Sequence, residues 1–147
     1  MNVNEQVFSY AYKNGVKTVL NPAPANKPSD ILLQNTSWFI PNEIEFEEIY
    51  GGVFNENNLL LFAKNVDTNV VVTLGEKGCA YIKNNSVEIM NTNSVKAIDT
   101  TGAGDAFVGA FSFALASKLD IEECLKLALQ KATDSVTKKG TQSSYKN

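Results

Sequence analysis

The sequence predicts an α/β protein in three layers, with helices covering both faces of a largely parallel sheet. Helix-like and strand-like segments alternate along the 147 residues, which is the pattern of such folds and a length suited to one globular core. The apolar stretch Val70–Leu74 supports the parallel arrangement, because strands buried on both faces carry apolar residues throughout.

Local signals place the elements of the first half of the chain. A helix over residues 2–15 is expected to end at Gly15, since glycine tolerates the left-handed conformation that closes many helices. The strand "VKTVL" then runs into the turn of "NPAPA", which its prolines stiffen. A short strand, a turn at Pro41 and an acidic helix that ends near Gly51 follow.

The second half starts with a short helix at "LLLFAKN" and a β-rich segment over residues 68–91. A hairpin-like turn is expected at "KNN" within that segment. Two helices follow, over 106–118 and 121–138. Asp120 is the predicted N-cap between them, and Gly140 is the predicted C-terminal stop.

The composition argues against several classes of protein. A net charge of −3 with scattered lysines argues against nucleic-acid binding. No apolar run approaches the ~20 residues of a membrane span, and the N-terminus lacks a signal-peptide pattern, so a cytoplasmic protein without membrane contact is expected. The absence of histidine removes Ser-His-Asp and Cys-His nucleophiles and His-ligated zinc. Cys79 and Cys124 lack CxxC spacing, which predicts buried, reduced thiols.

The segment "DTTGAGDAF", Asp99–Phe107, places small residues at the start of an apolar helix. Backbone N–H groups collect at Gly102, Ala103 and Gly104, and the helix end adds about half a positive charge. Small side chains let a ligand approach these donors, which predicts a site for an anion such as phosphate. The GxGxxG and Walker motifs do not match, since Phe107 occupies a glycine position and no Gly-Lys-Ser/Thr occurs.

Asp105, within this loop, has two interpretations. A carboxylate beside an anion pocket can take the proton from an alcohol that attacks the phosphate, which is the chemistry of a kinase. Alternatively, Asp105 only stabilises the helix N-terminus, as acidic residues in a first turn commonly do. The residues alone leave both interpretations open.

These segments together resemble a known family. "DTTGAGDAF" is similar to the second signature of the ribokinase-like carbohydrate kinases, the phosphofructokinase B family. "NPAPA", "PNEIEFEEIYG", "VVVTLGEKGC" and "GTQSSY" also occur in the order seen in that family. The resemblance covers nearly the whole chain and is greatest to the ribokinase members. It implies a three-layer, Rossmann-like α/β/α domain of the ribokinase type, truncated on its N-terminal side.

The resemblance also implies roles for residues that match the family's motifs. Asp105 is the base that deprotonates the sugar hydroxyl, and the N–H groups of Gly102, Ala103 and Gly104 form the anion hole for the γ-phosphoryl of ATP. Gly104 is in addition expected to contact the nucleotide.

Two further motifs acquire roles from the resemblance. Asn42 and Glu45 of "NEIE" would act at a Mg²⁺ and phosphate site, although this pair also suits helix capping. Thr73, Gly75 and Gly78 of "TLGEKG" would form a nucleotide-binding turn. Considered alone, most turns of this composition are structural.

A monovalent cation, K⁺, is implied beside the anion hole. The matching positions are Asp99, Thr101, Ser135, Lys138, Gly140 and Ser144. A hard cation prefers groups such as the Asp99 carboxylate and the Ser144 hydroxyl, but Asp99 also suits a turn at a strand end.

Leu129 departs from the family, because a polar residue often contacts the nucleotide at this position. With Leu125 and Ala132 it forms a helix stripe that is typical of a core.

The match covers the C-terminal, ATP-side half of such a kinase, and the N-terminal half with the sugar contacts and the lid has no counterpart in residues 1–147. The complete enzyme, expected to be a homodimer, would transfer the γ-phosphoryl of ATP to the 5-hydroxyl of D-ribose, or to another sugar or nucleoside. The chain alone is expected to be inactive and to self-associate through an exposed edge at "NVVVTL". A nucleotide-binding module without catalysis and a non-catalytic fragment stay open as alternatives.

Overall fold

Strands and helices alternate along the chain in the computed structural model, which describes residues 1–93 and 102–137. The strands are β1 (Val19–Leu20), β2 (Trp38–Phe39), β3 (Asn69–Thr73), β4 (Cys79–Lys83) and β5 (Ser86–Met90). The helices are α1 (Val3–Lys13), α2 (Asp30–Gln34), α3 (Glu43–Tyr50), α4 (Glu56–Val66), α5 (Ala103–Ala116) and α6 (Ile121–Val136). The predicted α/β class is confirmed. Among the described residues, no helix has the length and apolar character needed to cross a bilayer.

The described strands form one sheet in the order β1-β2-β3-β4-β5. β2 pairs in parallel with both β1 and β3. The connections from β3 to β4 and from β4 to β5 are too short for the crossover that parallel neighbours need, so these pairs are antiparallel. Asn84 and Asn85 have φ of 52° and 61°, which is the geometry of a type I′ hairpin turn. The turn predicted at "KNN" is therefore confirmed.

The chain divides into two compact units, the first comprising Met1–Leu74 and Ala80–Ile89. In this first unit, α3 and α4 pack on one face of the sheet. Phe46 of α3 lies 5.5 Å from Phe62 of α4 between ring centroids, and Phe62 lies 5.6 Å from Phe39 of β2. Val70, Val71 and Val72 are all buried. Since alternate residues of a strand point to opposite faces, both faces of β3 are covered, as its apolar sequence predicted.

The second unit contains Gly75–Cys79 and the described residues from Met90 onward. Here α5 packs against α6, with Phe107 and Phe111 of α5 and Leu125 of α6 buried. Asp120 caps α6, because its side chain accepts a hydrogen bond from Glu123 N at 2.9 Å. This N-cap was predicted, whereas the predicted stop at Gly140 lies outside the described residues.

Three features differ from the sequence predictions. The helix α2, which Ser29 caps through a 3.2 Å hydrogen bond from Leu32 N, was not predicted. The first strand is shorter than "VKTVL", because Thr18 N donates to the Ser37 hydroxyl instead of a strand carbonyl. The prediction that "NVVVTL" forms an exposed edge was wrong: β3 lies between β2 and β4, and β1 is an edge of the described sheet.

Both cysteines are free and buried, as predicted. Burial raises the pKa of the Cys79 thiol to about 12. The pKa of Cys124 is also raised, first by burial and then by the neighbouring carboxylates of Asp120 and Glu123. High thiol pKa values make both side chains poor nucleophiles.

Candidate active site

Polar residues gather where the parallel strands end. Asn42 follows β2 and forms a parallel bridge with Thr73, the last residue of β3. Thr73 N donates to the carbonyl of Pro41 at 3.0 Å. Asn21 lies just beyond β1, and its side-chain amide donates to the carbonyl of Ile40 at 2.8 Å. Ligands of open α/β sheets bind beyond the carboxyl ends of the strands, so this edge is the candidate site of the first unit.

Asn42 and Thr73 were predicted as site residues in separate motifs, and the pairing of β2 with β3 brings them together. No role was predicted for Asn21. The signal was present, because a polar side chain directly follows a predicted strand in "LNPAPA".

Asn42 and Glu45 form a capping box at the start of α3. Asn42 Oδ1 accepts a hydrogen bond from Glu45 N at 2.8 Å, and Glu45 Oε2 accepts one from Asn42 N, also at 2.8 Å. Glu45 is 9% exposed, so the reciprocal bonds hold an acidic side chain in a largely buried position. The capping interpretation of this pair is confirmed, and its role toward Mg²⁺ stays a prediction.

One oxygen of Glu45, Oε1, takes no part in the capping box. Glu45 Oε1 has no hydrogen-bond partner among the described residues, and no buried polar side-chain atom in that part of the chain is unsatisfied. Oε1 is therefore not fully buried. The described residues contain no cluster of three or more acidic or cysteine side chains that could hold a metal. A site with one carboxylate fits Mg²⁺, which is held by one or two carboxylates together with water and phosphate oxygens.

The turn after β3 contains two glycines, Gly75 and Gly78, which meet different structural requirements. Gly75 (φ +60°) starts a 3₁₀ turn over Gly75–Lys77, and a Cβ there would meet no atom of the described residues within 4 Å. Gly78 has φ +100°, and a Cβ there would lie 1.9 Å from the carbonyl oxygen of Met90. Gly78 is thus required by close packing against the end of β5, while the open side of Gly75 leaves room for a ligand. Their role in nucleotide binding stays a prediction.

The N-terminus of α5 carries no side-chain cap. Its N-cap residue is Gly102, with φ +79°. The backbone hydrogen bonds of the helix begin with Ala106 N, which donates to Gly102 O at 2.9 Å. Among the described residues, no side chain accepts from the N–H groups of Ala103, Gly104 or Asp105. By contrast, α1, α3 and α6 each begin with a complete capping box. The first turn of α5 therefore offers backbone donors to an anion.

Asp105 occupies the third helical position of α5 and is exposed. In the capping boxes of the other helices this position holds a glutamate that accepts from the N-cap N–H. Asp105 makes no such bond to a described residue. Its carboxylate is therefore available to solvent and to a ligand beside the open donors.

Of the predicted K⁺ positions, the structure describes only Ser135. This residue is buried, and its hydroxyl donates to the carbonyl of Ala132 at 2.7 Å. The other five, Asp99, Thr101, Lys138, Gly140 and Ser144, lie outside the described residues. Leu129 and Leu125 are buried on α6, so the core role predicted for their stripe is confirmed.

A groove of about 500 Å³ in the first unit is lined by none of Asn21, Asn42 and Thr73. Trp38 and Asn69, the first residues of β2 and β3, line it together with Lys64 of α4. It therefore opens at the amino ends of the parallel strands, and the candidate site lies at their carboxyl ends.

The first unit is an α/β unit with polar residues at the carboxyl edge of its sheet, and the second unit contains a helix whose N-terminus has no side-chain cap. The model of the pfkB family of carbohydrate kinases matches residues 2–147. The chain belongs to this family, and the resemblance to the family that its motifs indicated is confirmed.

Three relatives illustrate the similarity. The chain is 43% identical to a ribokinase of Haemophilus influenzae, in an alignment that covers 95% of this chain and 47% of the relative. It is 38% identical to a deoxyribokinase of Salmonella typhi, in an alignment that covers 94% of this chain and 47% of the relative. It superposes with a TM-score of 0.85 and 28% identity on Arabidopsis thaliana ribokinase complexed with ribose and ATP, covering 97% of this chain and 48% of that one. The predicted ribokinase-like fold is confirmed. The chain spans about half the length of the curated relatives it matches.

Proposed function

We propose that this chain is the ATP-side half of a carbohydrate kinase that transfers the γ-phosphoryl of ATP to the 5-hydroxyl of D-ribose. Membership of the pfkB family supports phosphoryl transfer to a carbohydrate. The similarity to a ribokinase complexed with ribose and ATP supports this pair of substrates. The single observation that carries the proposal is the uncapped first turn of α5 with an exposed carboxylate at its third position.

In the proposed mechanism, the first turn of α5 binds the transferring phosphoryl group. The N–H groups of Gly102, Ala103 and Gly104 donate to its oxygens, where negative charge is concentrated during transfer. Losing one such preorganised donor costs about 3 to 4 kcal/mol of transition-state stabilisation. A Cβ added at Gly104 would have no neighbour among the described residues within 4 Å, which supports an open approach to these donors.

Asp105 is the proposed general base. Its carboxylate accepts the proton of the attacking hydroxyl as the O–P bond forms, and the bond from the γ-phosphorus to the bridging oxygen of ADP breaks. A base in this role contributes a factor of about 10²–10⁴ to the rate. The exposed position of Asp105 leaves it accessible to the acceptor hydroxyl.

Asn42 and Glu45 are the proposed contacts for magnesium and phosphate. Oε1 of Glu45 is the atom left over for the cation once the capping box has formed. When bound, Mg²⁺ supplies positive charge that offsets the negative charge of the ATP phosphates. K⁺ near Ser135 and a homodimeric complete enzyme remain predictions of the sequence.

Two glycines of α5 provide a matched test. Neither Gly104 nor Gly109 has a described neighbour within 4 Å of an added Cβ. Replacing either with alanine should stabilise the helix by about 0.5–1 kcal/mol. Only Gly104→Ala places a methyl group in the first turn, so it alone should weaken ATP binding measured by calorimetry, by about tenfold. Equal ATP affinity of the two variants would contradict the anion site.

The choice of sugar is tested by an enzyme assay on the purified chain. ADP release is measured with ATP, Mg²⁺ and K⁺, in the presence of D-ribose or 2-deoxy-D-ribose. The chain alone should release no sugar-dependent ADP, because positioning of the acceptor supplies roughly 7–11 kcal/mol of the barrier and the chain covers about half of its relatives. In the complete enzyme, D-ribose should be the better acceptor. Preference for 2-deoxy-D-ribose would contradict the proposed substrate.

A further inference from the structure

The groove at the amino ends of β2 and β3 has the size of a small-molecule site. Its volume is about 500 Å³, within the range of about 300–1,000 Å³ that is usual for ligand pockets. Asn69 lines the groove at the first position of β3, so it lies about 13 Å along the strand from Thr73. The groove and the candidate active site of the first unit are therefore at opposite ends of β3.

The walls of the groove are apolar. Leu60 and Ala63 line it from α4, and their spacing in sequence places them on one side of the helix. Val70 of β3 and Ile82 of β4 line it from the sheet. Val70 is buried in the core of the first unit, and Ile82 packs against that core. Walls of this kind suit the apolar body of a ligand.

The rim of the groove carries a positive charge. Among the described residues that line the groove, Lys64 is the one charged side chain. Its ammonium group forms no hydrogen bond or ion pair with another residue in the described part of the chain. The Thr68 hydroxyl, in contrast, donates to the carbonyl of Thr36. Asn69 Nδ2 donates to the carbonyl of Ser37 at 2.9 Å. Lys64 is thus available to an anion that lies against the apolar walls.

We propose that this groove binds a small organic anion, with a ring-sized apolar body between α4 and the sheet and a carboxylate paired with Lys64. A single ammonium group favours a singly charged carboxylate, because phosphate sites surround their oxygens with several donors. The lining matches this ligand in charge, since none of the described lining residues is an acid. The site takes no part in the proposed phosphoryl transfer and is an additional binding site of the first unit.

Lys64 also has a local role that needs no ligand. It lies in the last turn of α4, where a positive charge interacts favourably with the helix dipole. That role does not account for the apolar groove beside the charge. The two roles are distinguishable, because loss of the charge lowers ligand affinity in one case and only helix stability in the other.

The test is a titration of the isotope-labelled chain with phenylacetate, followed by two-dimensional NMR. Phenylacetamide is the matched neutral probe, because it keeps the ring and lacks the charge. The amide signals of Leu60, Val70 and Ile82 should shift and saturate with both probes. The Kd of phenylacetate should be lower by at least about threefold, as expected for an ion pair at an exposed lysine. Lys64→Gln should abolish this difference, and the control Lys13→Gln, at an exposed position of α1, should keep it.

A change of shape gives a second readout. Ala63→Leu extends a side chain into the groove and should abolish the saturable shifts with both probes. Asn65→Leu adds the same side chain at an exposed position of α4 and should preserve them. Shifts confined to residues outside the groove, or equal Kd values of the two probes, would overturn the proposal. Reduced stability of Lys64→Gln with an unchanged preference for phenylacetate would overturn it in favour of the helix-end role alone.

Discussion

Replacing Asn42 with alanine separates the two roles of the capping box at α3. The change removes the Oδ1 acceptor that lies 2.8 Å from Glu45 N and leaves that N–H without its partner. Loss of an N-cap of this kind costs about 1 kcal/mol of unfolding free energy. For a chain of 147 residues, this corresponds to a decrease in Tm of about 3 °C.

The assay is urea unfolding followed by circular dichroism, together with calorimetric titration of ATP in the presence of Mg²⁺. Asn2→Ala is the matched control, because Asn2 and Glu5 form the same reciprocal box in α1 at 2.9 and 2.8 Å. Both variants should lose about 1 kcal/mol, but only Asn42→Ala should weaken MgATP binding. Glu45→Gln keeps an acceptor for Asn42 N, so its unfolding free energy should change by less than about 0.5 kcal/mol.

The two readouts refute different parts of the reasoning. An unfolding free energy of Asn42→Ala within about 0.3 kcal/mol of the wild type would contradict the cap. Glu45→Gln should weaken MgATP binding by about tenfold, as expected when a group near a metal loses its charge. Wild-type MgATP affinity of Glu45→Gln would contradict the role of Glu45 toward magnesium.

Two further predictions concern stability. Gly78→Ala should cost more than about 3 kcal/mol of unfolding free energy, because its Cβ would lie 1.9 Å from Met90 O. Gly75→Ala, with only its positive φ to strain it, should cost about 1 kcal/mol in the same urea titration, and equal costs would contradict the packing argument. The second prediction follows from Glu5, whose pKa is lowered from 4.5 by hydrogen bonds from Ser29 and Asn2. Its stabilisation should be complete above pH 4.5 and decrease as the pH falls through the lower folded value. The stability difference between the wild type and Glu5→Gln should therefore shrink in acid, and a constant difference would refute the assignment.

Much of the fold could be predicted because the signals are local. The apolar run at β3, the Asn-Asn turn before β5 and the cap at Asp120 each depend on a few neighbouring residues. The helix α2 was missed because its five residues follow Pro28 and are too few to show helical periodicity. The edge of the sheet was predicted wrongly because strand order depends on pairings between segments that are distant in sequence.

The candidate site shows the same division. Asn42 and Glu45 were identified through the family resemblance. Their residue types suit both a helix cap and a cation, and only the hydrogen bonds show that the pair forms a cap. The adjacency of Asn42 and Thr73 arises from the pairing of β2 with β3. Nothing near Gly78 in sequence indicates its approach to Met90.

Our central claim is the proposal that the first turn of α5 binds the transferring phosphoryl group and that Asp105 accepts the proton of the sugar hydroxyl. The most direct measurement is the steady-state rate of ribose-dependent ADP release by a fusion protein and by its Asp105→Asn variant. In the fusion protein a flexible linker joins this chain to the segment of the Haemophilus influenzae ribokinase that precedes its matching region. The amide keeps the shape of the side chain and loses its basicity. We predict that kcat falls by a factor of about 10²–10⁴ while ATP affinity stays within a few-fold. Retention of more than about a tenth of the wild-type turnover would contradict the claim.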